Sequence, residues 1–304
     1  MSQMQAQLQM QSTAIGGMRQ AQALGYWQRA FRHLRQDKVT VFAFFLLLII
    51  TLLSVGAGVI GQAMDLDPNK TNLLTRMKPP SREHWLGTDD VGRDVFIRLL
   101  YAGRVSLLVG VLSAATAFVI GVSLGLLSGF YGRWVDDSVN ALIQTTINIP
   151  LLFLLILLSV IFRPGVAGLA VIIGLFSWQN NARQIRAAVL SQKERDFVDA
   201  ARVLGSGDGR LMWRHIFPNV VSIVLVVTGF DVAGAILAES SLSALGLGVQ
   251  PPTASWGNML AKSFDFGTKA PWLVVSPGVM IALTVFSIFL LADGIRDALD
   301  PRIS

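Results

Sequence analysis

Residues 39–64 read VTVFAFFLLLIITLLSVGAGVIGQAM, 26 positions without a single charge. About 20 mainly apolar residues in a helix cross the hydrocarbon core of a bilayer, because each adds about 1.5 Å of rise. This run is long enough to span, and it is not alone. Working outward along the chain, further spans are predicted at Val105–Phe130, Asn140–Phe162, Pro164–Ala182, Asn219–Ala238 and Pro271–Ala292. Pro150 is placed to bend the third span, the fourth is short and Gly-rich, and the fifth contains one charge, Asp231. The expected fold is an all-α polytopic membrane protein with six transmembrane helices.

Composition agrees. The 304 residues are 53% hydrophobic and 14% charged, whereas soluble domains carry roughly 25% charged residues. Cysteine is absent, which excludes a disulfide framework and a thiolate metal site. The formal charge of +6 is assigned to membrane topology. No basic stripe interleaved with aromatics stands outside the apolar runs, so nucleic acid is not an expected partner. With the N-terminus inside, the cytoplasmic segments 1–38, 131–138, 183–218 and 293–304 hold 15 Lys and Arg, against 10 on the other side. Arg29, Arg32, Arg35 and Lys38 directly precede the first span, where the positive-inside bias weighs most. Both termini are therefore expected in the cytoplasm.

The chain divides accordingly. Residues 1–38 form a polar tail, too long ahead of the first apolar run to be a secretion signal, and 39–64 the first helix. Residues 65–104 are an extracytoplasmic segment. A permease core covers 105–293, with a cytoplasmic loop at 183–218 and an extracytoplasmic loop at 239–270. Residues 294–304 are a second cytoplasmic tail. In the second span Ala117, Gly121, Gly125 and Gly129 recur every four residues, a small-residue face that lets another helix approach closely. Ahead of it, Thr88 is expected to cap a separate amphipathic helix with Val91, Val95, Phe96, Leu99 and Leu100 as its stripe and Asp94 and Arg98 as an i,i+4 pair. That helix would lie on or fold over the outer mouth. Gly246, Gly248, Pro251 and Pro252 are expected to leave 239–270 without a helix, as a re-entrant or gate-like loop.

The segment 183–218 is polar and basic, unlike its neighbours. Helical character runs from Arg183 to Leu204, with Ile185, Ala188, Val189, Phe197, Val198, Ala201 and Leu204 on an apolar side, and Gly205 is a good terminator. A turn at 206–209 leads to a second short helix, Arg210–Phe217, expected to stop at Pro218. Two short helices around a glycine turn would make a knob, with Ala200 and Ala201 leaving room for another protein.

The stretch DFVDAARVLGSGDGRLMWRHIFPN resembles the cytoplasmic signature of ABC-importer permeases. That signature reads Glu-Ala-Ala, three residues, a glycine, and an Ile-Leu-Pro ending. Asp199, Ala200, Ala201, Gly205, Ile216 and Pro218 occupy the matching positions, with Asp199 for glutamate and Phe217 for leucine. HWLGTDDVGRDVFIRLLYAGRVSL from His84, LSALGLGVQPPTASWGNML from Leu242 and DGIRDALDPRI from Asp293 are similar to the dipeptide/oligopeptide/nickel group, of which this is identified as the shorter, C-type permease. The resemblance covers Val39 to Ile303 and implies a type I ABC importer fold in a bacterial or archaeal cytoplasmic membrane. It implies a second homologous permease, two cytoplasmic ATPase subunits that bind ATP and magnesium, and an extracytoplasmic substrate-binding protein. This chain itself would hold no cofactor. Peptide cargo is implied, with nickel complexes or oligosaccharides as alternatives. Arg195, Asp199, Ala200, Ala201, Gly205, Asp208, Arg214, His215, Ile216 and Pro218 would couple to the ATPase.

Lys262 and Ser263 follow Ala261, where a phosphate loop requires glycine, so no nucleotide cradle is expected. His33, His84 and His215 lack metal-site spacing. Asp231 at mid-span must face a partner group or a wet cavity, either the translocation path or a second permease. Glu239 stands nearer the outer end of the same helix, as a path or capping residue. A secondary transporter acting alone would call for more intramembrane charges and an internal repeat. An intramembrane enzyme would need paired catalytic groups at membrane depth.

Overall fold

The computed structural model describes residues 26–299. The readings for the tail before Tyr26 and for residues 300–304 lie outside the described residues. The described chain is helical, with no β-structure beyond one isolated bridge between Thr88 and Asp94.

Helix α1 (Tyr26–Gln36) ends at Asp37, whose carboxylate accepts the Val39 and Thr40 amides at 3.1 and 3.2 Å and so starts α2 (Lys38–Val55). A break at Gly56 separates α3 (Ala57–Ala63). The face of α2 turned inward carries Thr40, Ala43, Ile50 and Ser54, while Phe42, Phe45, Leu48, Ile49 and Leu52 are exposed. Small residues inside and large apolar ones outside is the arrangement that lipid favours.

Helix α4 (Val95–Tyr131) is a single 37-residue element, which corrects the separate amphipathic helix expected over the outer mouth. Its N-cap is Asp94, accepting the Ile97 amide at 3.1 Å, and the helix runs into the membrane span without interruption. Thr88 cannot start it. Gly92 has φ of +78° and packs against Asn72, leaving no room for a Cβ, so the chain at 88–92 is a turn. The expected Asp94–Arg98 pair does not form. Asp94 binds His84 at 2.9 Å, and Arg98 donates to the Pro68 carbonyl at 3.1 Å.

The third span begins earlier than expected and is bent. Helices α5 (Arg133–Ile147) and α6 (Leu151–Phe162) meet at 77° across Asn148–Pro150, because Pro150 lacks the amide that would continue the ladder. The expected fourth span is two helices, α7 (Val166–Leu175) and α8 (Gln179–Lys193), broken at 176–178. After α9 (Asp196–Val203) come α10 (Phe217–Ala244), α11 (Trp256–Ser263) and α12 (Pro271–Leu299). Helix α11 corrects the expectation that 239–270 holds no helix. The four breakers Gly246, Gly248, Pro251 and Pro252 precede Ser255, which forms a reciprocal capping box with Asn258. Trp256 is fully buried and donates its indole N–H to the Leu99 carbonyl at 3.0 Å, fastening α11 to α4.

Among the described residues four helices are long and apolar enough to cross a membrane, or five with the bent α5–α6 pair, and α7 is a shorter apolar helix. The small-residue face of α4 packs on α8. A Cβ added at Gly121 would stand 2.6 Å from the Asn181 Cβ, at Gly125 2.8 Å from the Ala182 carbonyl oxygen, and at Gly129 2.8 Å from the Val189 Cβ. Ala117 is fully buried in the same contact, beside Trp178 and Ala182. Overpacking a contact made by backbone costs about 1–3 kcal/mol. Gly125→Val should therefore lower the melting temperature of the detergent-solubilised protein. Gly234→Ala on α10, where a Cβ meets nothing, should leave it unchanged or raise it.

Candidate functional site

The segment between α8 and α10 projects from one end of the bundle. It begins where α8 stops: the Lys193 ammonium donates to the Phe130 carbonyl at the end of α4, and the chain turns at Glu194–Arg195. Helix α9 follows. Gly205 terminates it with φ of +83°, its amide on the Arg202 carbonyl and the Ser206 amide on the Ala201 carbonyl, both at 3.0 Å. This is the left-handed cap that glycine adopts without strain. One turn at Asp208–Arg210 then leads through a π-helical stretch, Leu211–Ile216, directly into α10.

Pro218 therefore does not stop a second short helix, as the sequence reading expected, but stands in the first turn of α10. The wider π turn ahead of it accommodates a ring that would clash with the carbonyl four residues back in a regular helix. Beneath the surface, Val198, Ala201, Leu211, Met212, Ile216 and Val220 pack with Ile185 and Val189 of α8 and with Leu126 and Phe130 of α4. That core anchors the knob to the two helices joined by the small-residue face.

The residues singled out by sequence divide by exposure. Ala201 and Ile216 are buried and His215 is half-buried, its carbonyl accepting the Asn219 side-chain amide at 2.6 Å. Arg195, Asp199, Ala200, Asp208, Arg214 and Pro218 are exposed. Among the described residues Asp199 pairs only with Arg202, at 3.0 Å on the same helix, and its side chain is 62% exposed. Phe197 and Leu204, expected on the buried side, face outward. The tip is apolar, with Val203 87% and Leu204 86% exposed, and Trp213 is exposed nearby. Sequence reasoning missed Val203 and Trp213, although two adjacent aliphatic residues before a terminating glycine were visible in the sequence.

Two polar positions lie within the bundle. Asp231 on α10 accepts the side-chain amide of Asn181 on α8, and Asn181 is buried against Gly121. Glu239 is fully buried, and Ser243 and Ser255 donate to its Oε1 at 2.6 and 2.7 Å. It thus joins α10 to the cap of α11 and reaches no surface. At the base of the knob, which sequence reading passed over, Arg186 of α8 holds Asp136 of α5 through Nε and Nη2. Among the described residues no three His, Asp or Glu side chains converge as a metal site.

Comparison with known proteins decides the family. Residues 121–304 match the family described as the binding-protein-dependent transport system inner membrane component, and residues 25–80 match the N-terminal transmembrane domain of oligopeptide transport permease C. The chain belongs to the binding-protein-dependent permeases. It is 35% identical over 280 residues to the dipeptide transport system permease protein DppC of Alkalihalophilus pseudofirmus, covering 92% of this chain and 91% of that one. It is 36% identical over 281 residues to the oligopeptide transport system permease protein OppC of Bacillus subtilis, with 92% and 91% covered. A putative peptide permease of Brucella suis is 44% identical over 237 residues, with 77% and 78% covered. The chain is thus a multi-pass inner-membrane permease component of an ABC importer and not an enzyme; ATP hydrolysis belongs to separate subunits.

In this permease the left-handed cap at Gly205 is open to direct test. A β-branched residue there costs about 1–2 kcal/mol in the left-handed region. Gly205→Val should loosen the knob and speed trypsin cleavage at Arg195, Arg202 or Arg210 by about tenfold, since 1.4 kcal/mol is one decade in an opening equilibrium.

Proposed function

We propose that this permease forms half of a translocation path for di- and oligopeptides, and that the segment 195–218 receives the ATPase stroke. The observation that carries the reading is the apolar tip, Val203 and Leu204, held out on a knob whose own core is complete. Two large aliphatic side chains in water next to an open carboxylate are the features of a surface awaiting a protein partner. The peptide cargo is supported by the relatives, which are dipeptide and oligopeptide transport permeases.

In this reading six spans cross the membrane: α2 with α3, α4, α5 with α6, α7 with the start of α8, α10, and α12. Both termini are cytoplasmic. A second homologous permease completes the path, two ATPase subunits holding ATP and magnesium seat the knobs in their grooves, and a binding protein delivers cargo to the opposite face. ATP binding draws the ATPases together and swings the knobs, so the path opens alternately to each side as a rigid-body transition. In this reading Asp231 faces that path, with Asn181 holding its carboxylate, and Glu239 acts as an anchor for α11.

Coupling is tested on the assembled complex. Val203→Asp with Leu204→Asp changes only exposed side chains, so insertion and helix content should stay normal while co-purification of the ATPase is lost. Asp199→Lys should leave the complex assembled and separate uptake from ATP hydrolysis. Normal uptake by both variants would refute the assignment.

A further inference from the structure

Helix α8 is a rod with a joint at each end. The chain breaks at 176–178 on the side of α7 and at Glu194–Arg195 on the side of α9. Between those joints α8 is bound to three other helices. Gly121, Gly125 and Gly129 bring the backbone of α4 against it, and Lys193 bonds the Phe130 carbonyl at the end of α4. Asn181 bonds Asp231 on α10. Arg186 bonds Asp136 on α5.

The last contact differs from the others. Helix α5 buries only Val139 and Ile143 among its 15 residues, and these meet Trp178 and Ala182 at the start of the rod and Ala117 of α4. Farther along the rod the attachment is one carboxylate with a filled hydrogen-bond shell. Asp136 accepts both nitrogens of the Arg186 fork, the Ser128 hydroxyl of α4 at 2.5 Å and the Asn140 side-chain amide at 2.8 Å. The side chains of Asp136 and Arg186 are 17% and 28% exposed. A bidentate arginine fork fixes orientation as well as distance. Helix α5 in turn continues into α6 only through the 77° bend at Asn148–Pro150.

We propose that Asp136 and Arg186 are positioning residues that make α5, and through the bend α6, travel with α8 when the 195–218 knob is displaced. The proposal rests on the coupling role given to that knob above. Without the pair, α8 and α4 would still move together through their glycine contact, while α5, held by its one-residue link to α4 at Gly132 and by Val139 and Ile143, would be free to swing against α8. The stroke would then reach α5 and α6 without a fixed direction.

The test uses the complete importer in proteoliposomes, with Asp136→Asn, Arg186→Gln and the exchanged pair Asp136→Arg with Arg186→Asp. The readouts are the ATPase rate with and without the binding protein, and the distance between spin labels at two exposed sites, Leu142→Cys on α5 and Leu190→Cys on α8. The chain has no cysteine of its own, so it contributes no other labelling site. In the unaltered protein that distance should be the same with and without trapped ATP. Each single variant should keep its ATPase subunits, lose binding-protein stimulation by about tenfold, a typical coupling energy, and show a label distance that depends on nucleotide. The exchanged pair should restore both readouts. Unchanged stimulation in the single variants overturns the proposal. So does loss of assembly, or failure of the exchanged pair to recover, because either makes the pair merely structural. Failure of the underlying coupling reading shows differently, as ATPase subunits that do not co-purify with the unaltered chain.

Discussion

Helices in a bilayer gain nothing by hiding apolar side chains from their surroundings, because lipid is as apolar as they are. Association then depends on how closely two backbones can approach, and in this permease the most extensive such contact is the one between α4 and α8. Gly121, Gly125 and Gly129 leave no room for a Cβ against Asn181, the Ala182 carbonyl and Val189. The position of α8 is set by that contact, and three features follow from it. Asn181 is delivered to Asp231, Arg186 to Asp136, and Ile185 with Val189 form the floor on which the knob is built.

The opposite end of the bundle is fixed by different means. There the chain outside the spans folds back on itself, with the Met77 amide on the Asp89 carbonyl and the Thr88 amide on the Lys78 carbonyl, both at 3.0 Å. Trp256 and Glu239 carry α11 into the bundle: Trp256 donates to the Ser106 hydroxyl and the Leu99 carbonyl of α4, and Glu239 Oε1 accepts from Ser255 of the α11 cap. One end is thus tied down by a buried tryptophan and a buried carboxylate. The other presents a small core with an exposed apolar tip, joined to α8 across a turn. An asymmetry of this kind suits a protein that is driven from one side.

Much of the fold was legible. A run of 26 uncharged residues can hardly be anything but a span, the bend at Pro150 follows from a missing amide, and a glycine every fourth residue marked the packing face before its partner was known. Other features were hidden for identifiable reasons. The break at 176–178 contains neither glycine nor proline and is imposed by tertiary packing. Pro218 reads as a helix stop, and only the π turn before it permits continuation. The helical period was carried across Arg183–Leu204 as if unbroken. The chain restarts at Asp196 with a new phase, so Phe197 and Leu204 turn outward. Helix α11 was overlooked because four breakers precede it, although Ser255 and Asn258 are spaced as a capping pair. Of the site, Asp199, Gly205 and the alanine pair were visible as a motif. The Asp136–Arg186 pair was not, since fifty residues separate its partners and neither belongs to a recognisable pattern.

The account places the motor contact at the tip of α9. Because the chain lacks cysteine, a photoactivatable crosslinker can be attached through a single introduced thiol at Val203→Cys, or at Leu74→Cys in the exposed turn at the far end, where Leu74 is 92% exposed. In the assembled importer, crosslinking from position 203 should capture the ATPase subunit, and crosslinking from position 74 should not. Capture of the ATPase from position 74, or from neither position, would contradict the account.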